Sequence, residues 1–278
     1  MLRLIKFLVY SNFWIGLGGA AFIWQYYLIY NLTADYWLIA FVFFATIFTY
    51  TFQRYIKILN RTHGGGNRLE WMEKNPILVK VILIVSALGC VYPFILMDPK
   101  LYFLLIGTGI LSLFYIVKIP GKFGRNLRDI PSLKIFIIGL VWATTSSFLP
   151  YINQVDSSVE IPWVLFIADF LFIIAITIPF DIRDMQLDEV EKKTIPQVVG
   201  VKKAIGIAIF LLLLNVLFLY YLVGTILYFS IIGVVLSIIL VQGCQKTKND
   251  FYFSFFIDGL LLVQPLLIAA DLLLLRFN

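Results

Sequence analysis

The sequence contains few of the residues that soluble enzymes use for chemistry. Only 14% of its 278 residues are charged, and it has a single histidine, His63. One histidine excludes a metal site built on several histidines, and an isolated His63 has no Ser-His-Asp triad pattern around it. The two cysteines, Cys90 and Cys244, lie at or near the ends of apolar segments and lack metal-ligand spacing. We therefore interpret both cysteines as packing residues.

Apolar side chains dominate instead: 61% of the residues are hydrophobic and the mean hydropathy is +0.94. A soluble domain cannot bury that much apolar surface, so the composition indicates an integral membrane protein. The sequence predicts an all-α fold in which residues 1–278 form one transmembrane domain with nine transmembrane helices. Each predicted helix is close to the roughly 20 residues that span a bilayer. The nine apolar segments are 8–30, 36–56, 77–97, 101–118, 133–152, 162–181, 203–222, 224–243 and 252–275.

The basic residues fall in the gaps between the apolar segments. With the N-terminus in the cytoplasm, all of the 22 lysines and arginines except Lys100 and Arg276 lie on the cytoplasmic side. Such a bias sets membrane orientation, so the net charge of +6 predicts a lipid membrane and not nucleic acid as the partner. We predict a multi-pass protein of the cell (inner) membrane, with the C-terminus outside. The long polar loops would then face the cytoplasm, and we expect the site to open there.

An acidic cluster follows the sixth apolar segment, in the stretch DIRDMQLDEVEKKTIPQVVG from Asp181 to Gly200. Asp181, Asp184 and Asp188 are spaced i, i+3 and i+7, which places all three carboxylates on one face of a helix. Such carboxylates repel one another unless a divalent cation or basic side chains lie between them. Mg²⁺ binds carboxylate oxygens together with water and phosphate oxygens, which favours a diphosphate site. The alternative is a solvated helix end neutralised by Arg183, Lys192 and Lys193.

The same stretch resembles the second aspartate-rich motif of the UbiA-type intramembrane prenyltransferases. The resemblance implies nine helices around a central cavity. It also implies transfer of a polyprenyl group from a prenyl diphosphate to an aromatic or other lipophilic acceptor. Asp181, Asp184 and Asp188 would be the catalytic residues that hold Mg²⁺, and Lys193 would lie near the phosphates.

Two further stretches carry implied diphosphate contacts. Tyr115 and Lys118, followed by LRDIPSLKIFIIGLVWA from Leu127, resemble the family's basic segment between helices four and five. In the first apolar segment, Asn12 is a polar residue that we place in the cavity as another contact. The small residues that follow Asn12 predict close packing of that helix on its neighbours. They are Gly16, Gly18 and Gly19.

The family's first aspartate-rich motif, NDxxDxxxD, is degenerate in this chain. It falls over the sequence TYTFQRYIK, where Thr49 replaces the Asn, Gln53 the first metal-binding Asp and Lys57 the last. No acidic residue occurs between Asp35 and Glu70, so no shift of register restores the motif. A single aspartate-rich half-site would hold at most one Mg²⁺.

The degenerate half leaves two interpretations open. Arg54 and Lys57 could pair directly with the diphosphate, with a hydrogen bond from Gln53, and so replace the missing metal. Alternatively, Arg54 and Lys57 could form salt bridges to Asp181 and Asp184. The protein would then be a catalytically degenerate member that binds isoprenoid lipid or a partner.

Proton-coupled transport is an alternative of another class. Asp169, Asp258 and Asp271 fall within apolar segments, where carboxylates are costly. We expect Asp169 and Asp258 to face the bundle interior, either protonated or bonded to Ser, Thr or Tyr, and Asp271 to be interfacial. Against transport, the main acidic cluster lies at a helix end rather than at the membrane midplane, where transporter sites are built.

Overall fold

The regular structure of this chain is entirely helical in the part that the structure describes. The computed structural model describes residues 2–60, 66–115, 117, 127, 130, 132–154, 159–185 and 193–277, and these ranges contain no β-strand. The all-α prediction is therefore confirmed for them. The helices are α1 Leu2–Tyr10, α2 Phe13–Ile29, α3 Tyr36–Leu59, α4 Gly66–Lys74, α5 Pro76–Leu96, α6 Tyr102–Phe114, α7 Leu133–Ala143, α8 Leu149–Asn153, α9 Trp163–Asp184, α10 Ile195–Val199, α11 Val201–Val223, α12 Tyr228–Gly243 and α13 Leu260–Phe277. Two π-helical turns, Thr144–Phe148 and Tyr252–Ile257, lead into α8 and towards α13.

Seven helical stretches within the described ranges are long and apolar enough to cross a membrane. They include α7 to α8 as one run, Leu133–Asn153, and the run Tyr252–Arg276 that contains α13. The pair α1 and α2 forms an eighth candidate span if counted as one, and Pro99–Phe114 is an apolar helix of shorter length. These helices agree with a multi-pass membrane protein. Each predicted apolar segment falls on one of these stretches, while a count of nine spans remains a prediction.

The first predicted segment, 8–30, is two helices rather than one. The chain bends by 65° between α1 and α2, at Asn12, whose φ of 67° is in the left-handed region. Asparagine enters that region more readily than most residues because its short polar side chain can hydrogen-bond locally. Here the Asn12 amide donates to Thr51 Oγ1 at 2.8 Å. The bend therefore joins the start of α2 to the last turns of α3.

The glycines after Asn12 let α2 approach two neighbouring helices. A Cβ added to Gly16 would lie 2.7 Å from Cγ1 of Ile47 on α3. A Cβ added to Gly18 would lie 2.7 Å from Cβ of Leu261 on α13. Real Cβ atoms do not come so close to other carbons, so only glycine allows these helix separations. The predicted close packing at Gly16, Gly18 and Gly19 is confirmed.

The core lies around α9, the most buried of the seven spans at 61%. Ala168, Phe172 and Ala175 of α9 are at most 1% exposed. By contrast, α6 has no buried residue and α5 leaves much of its apolar surface exposed, including Leu88 at 64%. This distribution places α9 inside the bundle, with α5 and α6 at a periphery whose apolar surface suits lipid contact.

Candidate functional site

Asp181 and Asp184, the described members of the predicted acidic cluster, both form ion pairs. Asp181 lies in the last turn of α9, and its Oδ1 accepts from Lys134 Nζ of α7 at 2.5 Å. Both side chains are buried, with 2% of Asp181 and 10% of Lys134 exposed. Asp184 accepts two hydrogen bonds from the neighbouring Arg183 guanidinium, at 2.7 and 3.2 Å. A cation therefore already faces each carboxylate.

Arg183 connects α9 to the start of the last span. Its Nη1 donates to Asp250 Oδ1 at 3.0 Å, while its guanidinium lies 5.2 Å from the ring centre of Phe180 and 5.1 Å from that of Phe253. An arginine over aromatic faces gains cation–π attraction, which is strongest where water is excluded. The Arg183 side chain is held on three sides and serves as a fixed structural cation.

Arg68 of α4 completes an ionic cluster, which we define as Arg68, Arg183, Asp184, Asp250 and Asp258. Arg68 donates from its backbone N–H to Asp250 Oδ2 at 3.1 Å and from Nη2 to Asp258 Oδ2 at 3.4 Å. Its side chain is 5% exposed. Buried charges need such pairing because desolvation of an isolated ion is very unfavourable. The cluster thereby fixes α4 against the ends of α9 and the last span.

Asn12 and Arg54, both predicted diphosphate contacts, are brought together beside this cluster. Asn12 is fully buried, and its side-chain oxygen accepts a hydrogen bond from Arg54 Nη1. Arg54 also donates to the Tyr50 carbonyl at 3.2 Å and lies 5.5 Å from the centre of the Tyr50 ring. Arg54 is thus held against α2 and its own helix.

The remaining predicted site residues are dispersed. Lys57 is half-buried on the last turn of α3, and Lys193 is exposed, with its carbonyl accepting from Ser132 Oγ at 3.1 Å. Asp188 and Lys118 lie outside the described residues. Across the ranges that are described, no group of three or more His, Cys, Asp or Glu is placed to hold a metal ion. Asp181 and Asp184 each form an ion pair with a basic side chain, and the predicted Mg²⁺ site remains a prediction.

The second part of the acidic motif, TIPQVVG, has a clear structural role. The Gln197 side chain accepts from the Thr194 backbone N–H at 2.9 Å, which caps the start of α10. Gly200 has a φ of 83° and joins α10 to α11 with a sharp change of direction. Because a residue with a Cβ is strained at that φ, the glycine follows from the turn itself.

A cavity of about 570 Å³ lies next to the ionic cluster, between α2, α3, α6 and the α7–α8 run. None of the described residues that line it is charged. Thr49 and Gln53 of the degenerate motif line it, as does Tyr115, whereas Lys57 is not among the lining residues. Apolar cavities with a few placed polar groups are the usual form of small-molecule sites.

The cavity is elongated along the helix axes. On α3 its walls run from Phe41 to Gln53, which is about 18 Å at the rise of 1.5 Å per residue. Gln53 and Tyr115 mark the end near the ionic cluster, and Phe41 and Leu149 mark the opposite end. This shape suits an extended apolar chain.

Four of the serine and threonine hydroxyls that line the cavity donate their proton to the backbone of their own helix. The hydroxyls of Thr46, Thr108, Ser112 and Thr145 each donate to the backbone carbonyl four residues earlier, at 2.7 to 2.9 Å. A hydroxyl has one proton and two lone pairs, so these groups can only accept from a ligand.

Behind the cavity wall lies Asp169 of α9, which is 2% exposed. Its Oδ2 accepts from the hydroxyls of Ser146 and Ser147, and its Oδ1 accepts from Gln25 Nε2 at 3.1 Å. The prediction that Asp169 faces the interior and bonds to serine is confirmed. Asp258 also faces inward, but its partner is Arg68, which the sequence analysis did not identify.

Asp271 has a different role from the other two intramembrane aspartates. It accepts from the backbone N–H groups of Phe229 and Ser230, at 2.9 and 2.8 Å, in the first turn of α12. The first N–H groups of a helix have no partner within it, and a carboxylate also favours the positive end of the helix dipole. Asp271 therefore caps α12 and is not a candidate site residue.

Lys134, Arg68 and Asp250 are the charged groups that the sequence analysis missed as partners. For Lys134 and Asp250 the one available signal is position, because each lies close to a boundary of an apolar segment, whereas Arg68 lies within the loop between the second and third segments. Comparison of the chain with protein-family models, with curated proteins and with solved structures finds no match in any of the three.

Proposed function

We propose that this protein is a nine-span membrane protein of the UbiA prenyltransferase type that binds an isoprenoid lipid in its cavity. The observation that supports the proposal is the elongated cavity of about 570 Å³, whose described lining is uncharged. Burial of an apolar chain in such a space contributes roughly 25 cal/mol per Å² of surface removed from water. Thr49, Gln53 and Tyr115 lie on its wall at positions that the resemblance assigns to the prenyltransferase site.

The proposal does not require a metal. Asp181 and Asp184 face Lys134 and Arg183, so a Mg²⁺ at these carboxylates would compete with basic side chains that already neutralise their charge. Breaking a buried ion pair is costly because it leaves an unpaired charge in a medium of low polarity. We therefore propose lipid binding as the first candidate function and metal-dependent prenyl transfer as the second.

A cavity-filling variant tests the proposal. Gly109 lines the cavity on α6, and a Cβ added there meets nothing within 4 Å, so Gly109→Leu introduces a side chain at the cavity wall without a clash at its first atom. Gly107, on the same helix, is equally open and is not among the cavity-lining residues, which makes Gly107→Leu a matched control. The readout is the melting temperature of detergent-purified protein with and without geranylgeraniol.

We expect the lipid to raise the melting temperature of the wild type and of Gly107→Leu. A ligand at about 100 times its Kd stabilises the folded state by about 2.7 kcal/mol. Gly109→Leu should lose most of this shift while keeping its melting temperature without ligand. Equal shifts for the two glycine variants would show that the lipid binds elsewhere, and no shift in any of the three would remove the proposal.

Prenyl transfer from a diphosphate to a lipophilic acceptor is the second candidate. It is favoured by the placement of Asp181 and Asp184 one turn apart at the end of α9, with Asp188 following in the sequence. The test is Mg²⁺-dependent release of diphosphate from a long prenyl diphosphate. Release by the wild type with matching formation of a prenylated acceptor, and loss of both in Asp184→Asn, would establish transfer. Lipid binding without release would leave a catalytically degenerate protein.

A further inference from the structure

Ser146 differs from the other serines and threonines that line the cavity. Among the described residues, it is the one of this group that donates a hydrogen bond to a carboxylate. Its Oγ donates to Asp169 Oδ2. The same carboxylate oxygen accepts from Ser147 Oγ, at a distance of 3.4 Å. Ser146 lines the cavity, whereas Ser147 is not among the lining residues. The Asp169 carboxylate is thus linked to the cavity by a hydrogen bond from one lining hydroxyl, that of Ser146.

The local backbone explains why both serines reach the same carboxylate. Residues Thr144–Phe148 form a π-helical turn between α7 and α8. A π turn contains an extra residue, which rotates the side chains that follow and occurs often at functional sites. Ser146 and Ser147 are 2% and 0% exposed, so neither gains its partner at a solvated surface.

The direction of this hydrogen bond determines what the cavity can bind. Ser146 Oγ has two acceptors within reach, Asp169 Oδ2 and, at 3.2 Å, the Ala143 carbonyl. The carboxylate is the closer and stronger acceptor, so we assign the single proton of Ser146 to Asp169, and only lone pairs of the Ser146 oxygen then face a ligand. Hydrogen bonds in a chain polarise one another, which makes this oxygen a better acceptor than a hydroxyl bonded to a carbonyl. Thr46, Thr108, Ser112 and Thr145 are also acceptors towards the cavity.

We propose that Ser146, polarised by Asp169, is the polar anchor of the cavity and selects a lipid that carries a hydroxyl group. The ligand hydroxyl donates to Ser146 Oγ, and its hydrocarbon chain lies along the apolar walls. This inference rests on the proposed binding of an isoprenoid lipid and defines the chemical class of that ligand. An ether or ketone of the same shape has no proton to donate, so it leaves the lone pairs of Ser146 Oγ that face the cavity without a ligand donor.

Two probes that differ in one proton donor test the inference. Geranylgeraniol and its methyl ether are compared as competitors of radiolabelled geranylgeraniol on the purified full-length protein. We expect the wild type to bind the alcohol roughly tenfold more tightly than the ether, the size of one hydrogen bond to a polarised group. Ser146→Ala should bind the two probes with similar affinity.

Ser147→Ala is the matched control, because it removes a hydroxyl bonded to the same carboxylate behind the cavity wall. It should keep the wild-type preference for the alcohol. Asp169→Asn tests the direction of the bond: its amide donates to Ser146, whose proton is then available to the ligand, so the preference should fall or reverse.

The outcomes separate the two proposals. If the wild type binds alcohol and ether equally, the anchor is wrong while lipid binding stands. An alcohol preference that survives Ser146→Ala also overturns the anchor. If the wild type binds neither probe, both the anchor and the proposed lipid site fall. Because the alcohol and ether are first compared on the wild type, a variant that fails to fold does not prevent the test.

Discussion

At the scale of single residues, Lys134 and Asp181 form a buried pair at 2.5 Å, whereas Lys74 and Glu70 form an exposed pair at 2.6 Å. Their geometries are similar, but their surroundings differ. Water and salt screen the exposed pair, so it contributes little to stability. Removing one member of a buried pair instead leaves the other charge in a medium of low polarity and costs about 3–5 kcal/mol.

We predict that Lys134→Met lowers the free energy of unfolding by about 3–5 kcal/mol, while Lys74→Met leaves it nearly unchanged. The double variant Lys134→Met/Asp181→Leu should recover much of the loss, because apolar groups of similar volume need no partner. Denaturant unfolding in detergent measures all three. If Lys134→Met were as stable as Lys74→Met, Asp181 would not depend on its ion pair.

At the scale of helices, α2 is held against α3 and α13 by glycines that admit no larger residue. Gly206 on α11 is a contrasting glycine, since a Cβ added there meets nothing within 4 Å. Alanine is favoured over glycine in a helix by about 1 kcal/mol. Substitution of alanine at Gly206 therefore tests helix propensity alone, whereas the same substitution at Gly16 also tests the packing of α2 against α3.

We predict that Gly206→Ala raises the melting temperature slightly, and that Gly16→Ala lowers it. Overpacking of a tight contact costs about 1–3 kcal/mol, which exceeds the gain in helix propensity. Thermal unfolding of the two variants under identical conditions gives the comparison. A stabilising effect of Gly16→Ala would mean that α2 and α3 can separate to accommodate a methyl group.

At the scale of the whole molecule, the number of spans determines on which side of the membrane the C-terminus lies relative to the N-terminus. Seven stretches qualify as spans by length and composition within the described ranges, and the bent α1–α2 pair makes eight. The fourth predicted span, 101–118, falls on the shorter helix Pro99–Phe114, which would bring the number to nine. An odd number of spans puts the two termini on opposite sides of the membrane, and an even number puts them on the same side.

We predict nine spans, with the N-terminus in the cytoplasm and the C-terminus outside, because this arrangement places nearly all basic residues inside. Fusions of a reporter that is active only in the cytoplasm, made at either terminus, measure the orientation. Activity at the N-terminus alone is expected. Activity at both termini would show that Pro99–Phe114 does not cross the membrane.

Local sequence was enough to predict the helices and their packing residues. A run of about 20 apolar residues has few alternatives to a membrane helix, because backbone groups in lipid must bond within the helix. Gly16, Gly18 and Gly19 likewise indicated close packing, because several glycines in one apolar segment allow the backbones of two helices to approach each other. The serine partners expected for Asp169 followed from the cost of burying a carboxylate without hydrogen bonds.

The pairing of charges was decided only by tertiary structure. Lys134 meets Asp181, Arg183 meets Asp250 and Arg68 meets Asp258 across large separations in sequence. Helix pattern alone places the aspartates on one face, which suits a metal ion and basic side chains equally well. Whether a metal ion or a basic side chain faces the aspartates depends on how the neighbouring helices are rotated and where they end. The same holds for Ser146, whose hydroxyl lies between Asp169 and the cavity only because of the π turn in its helix.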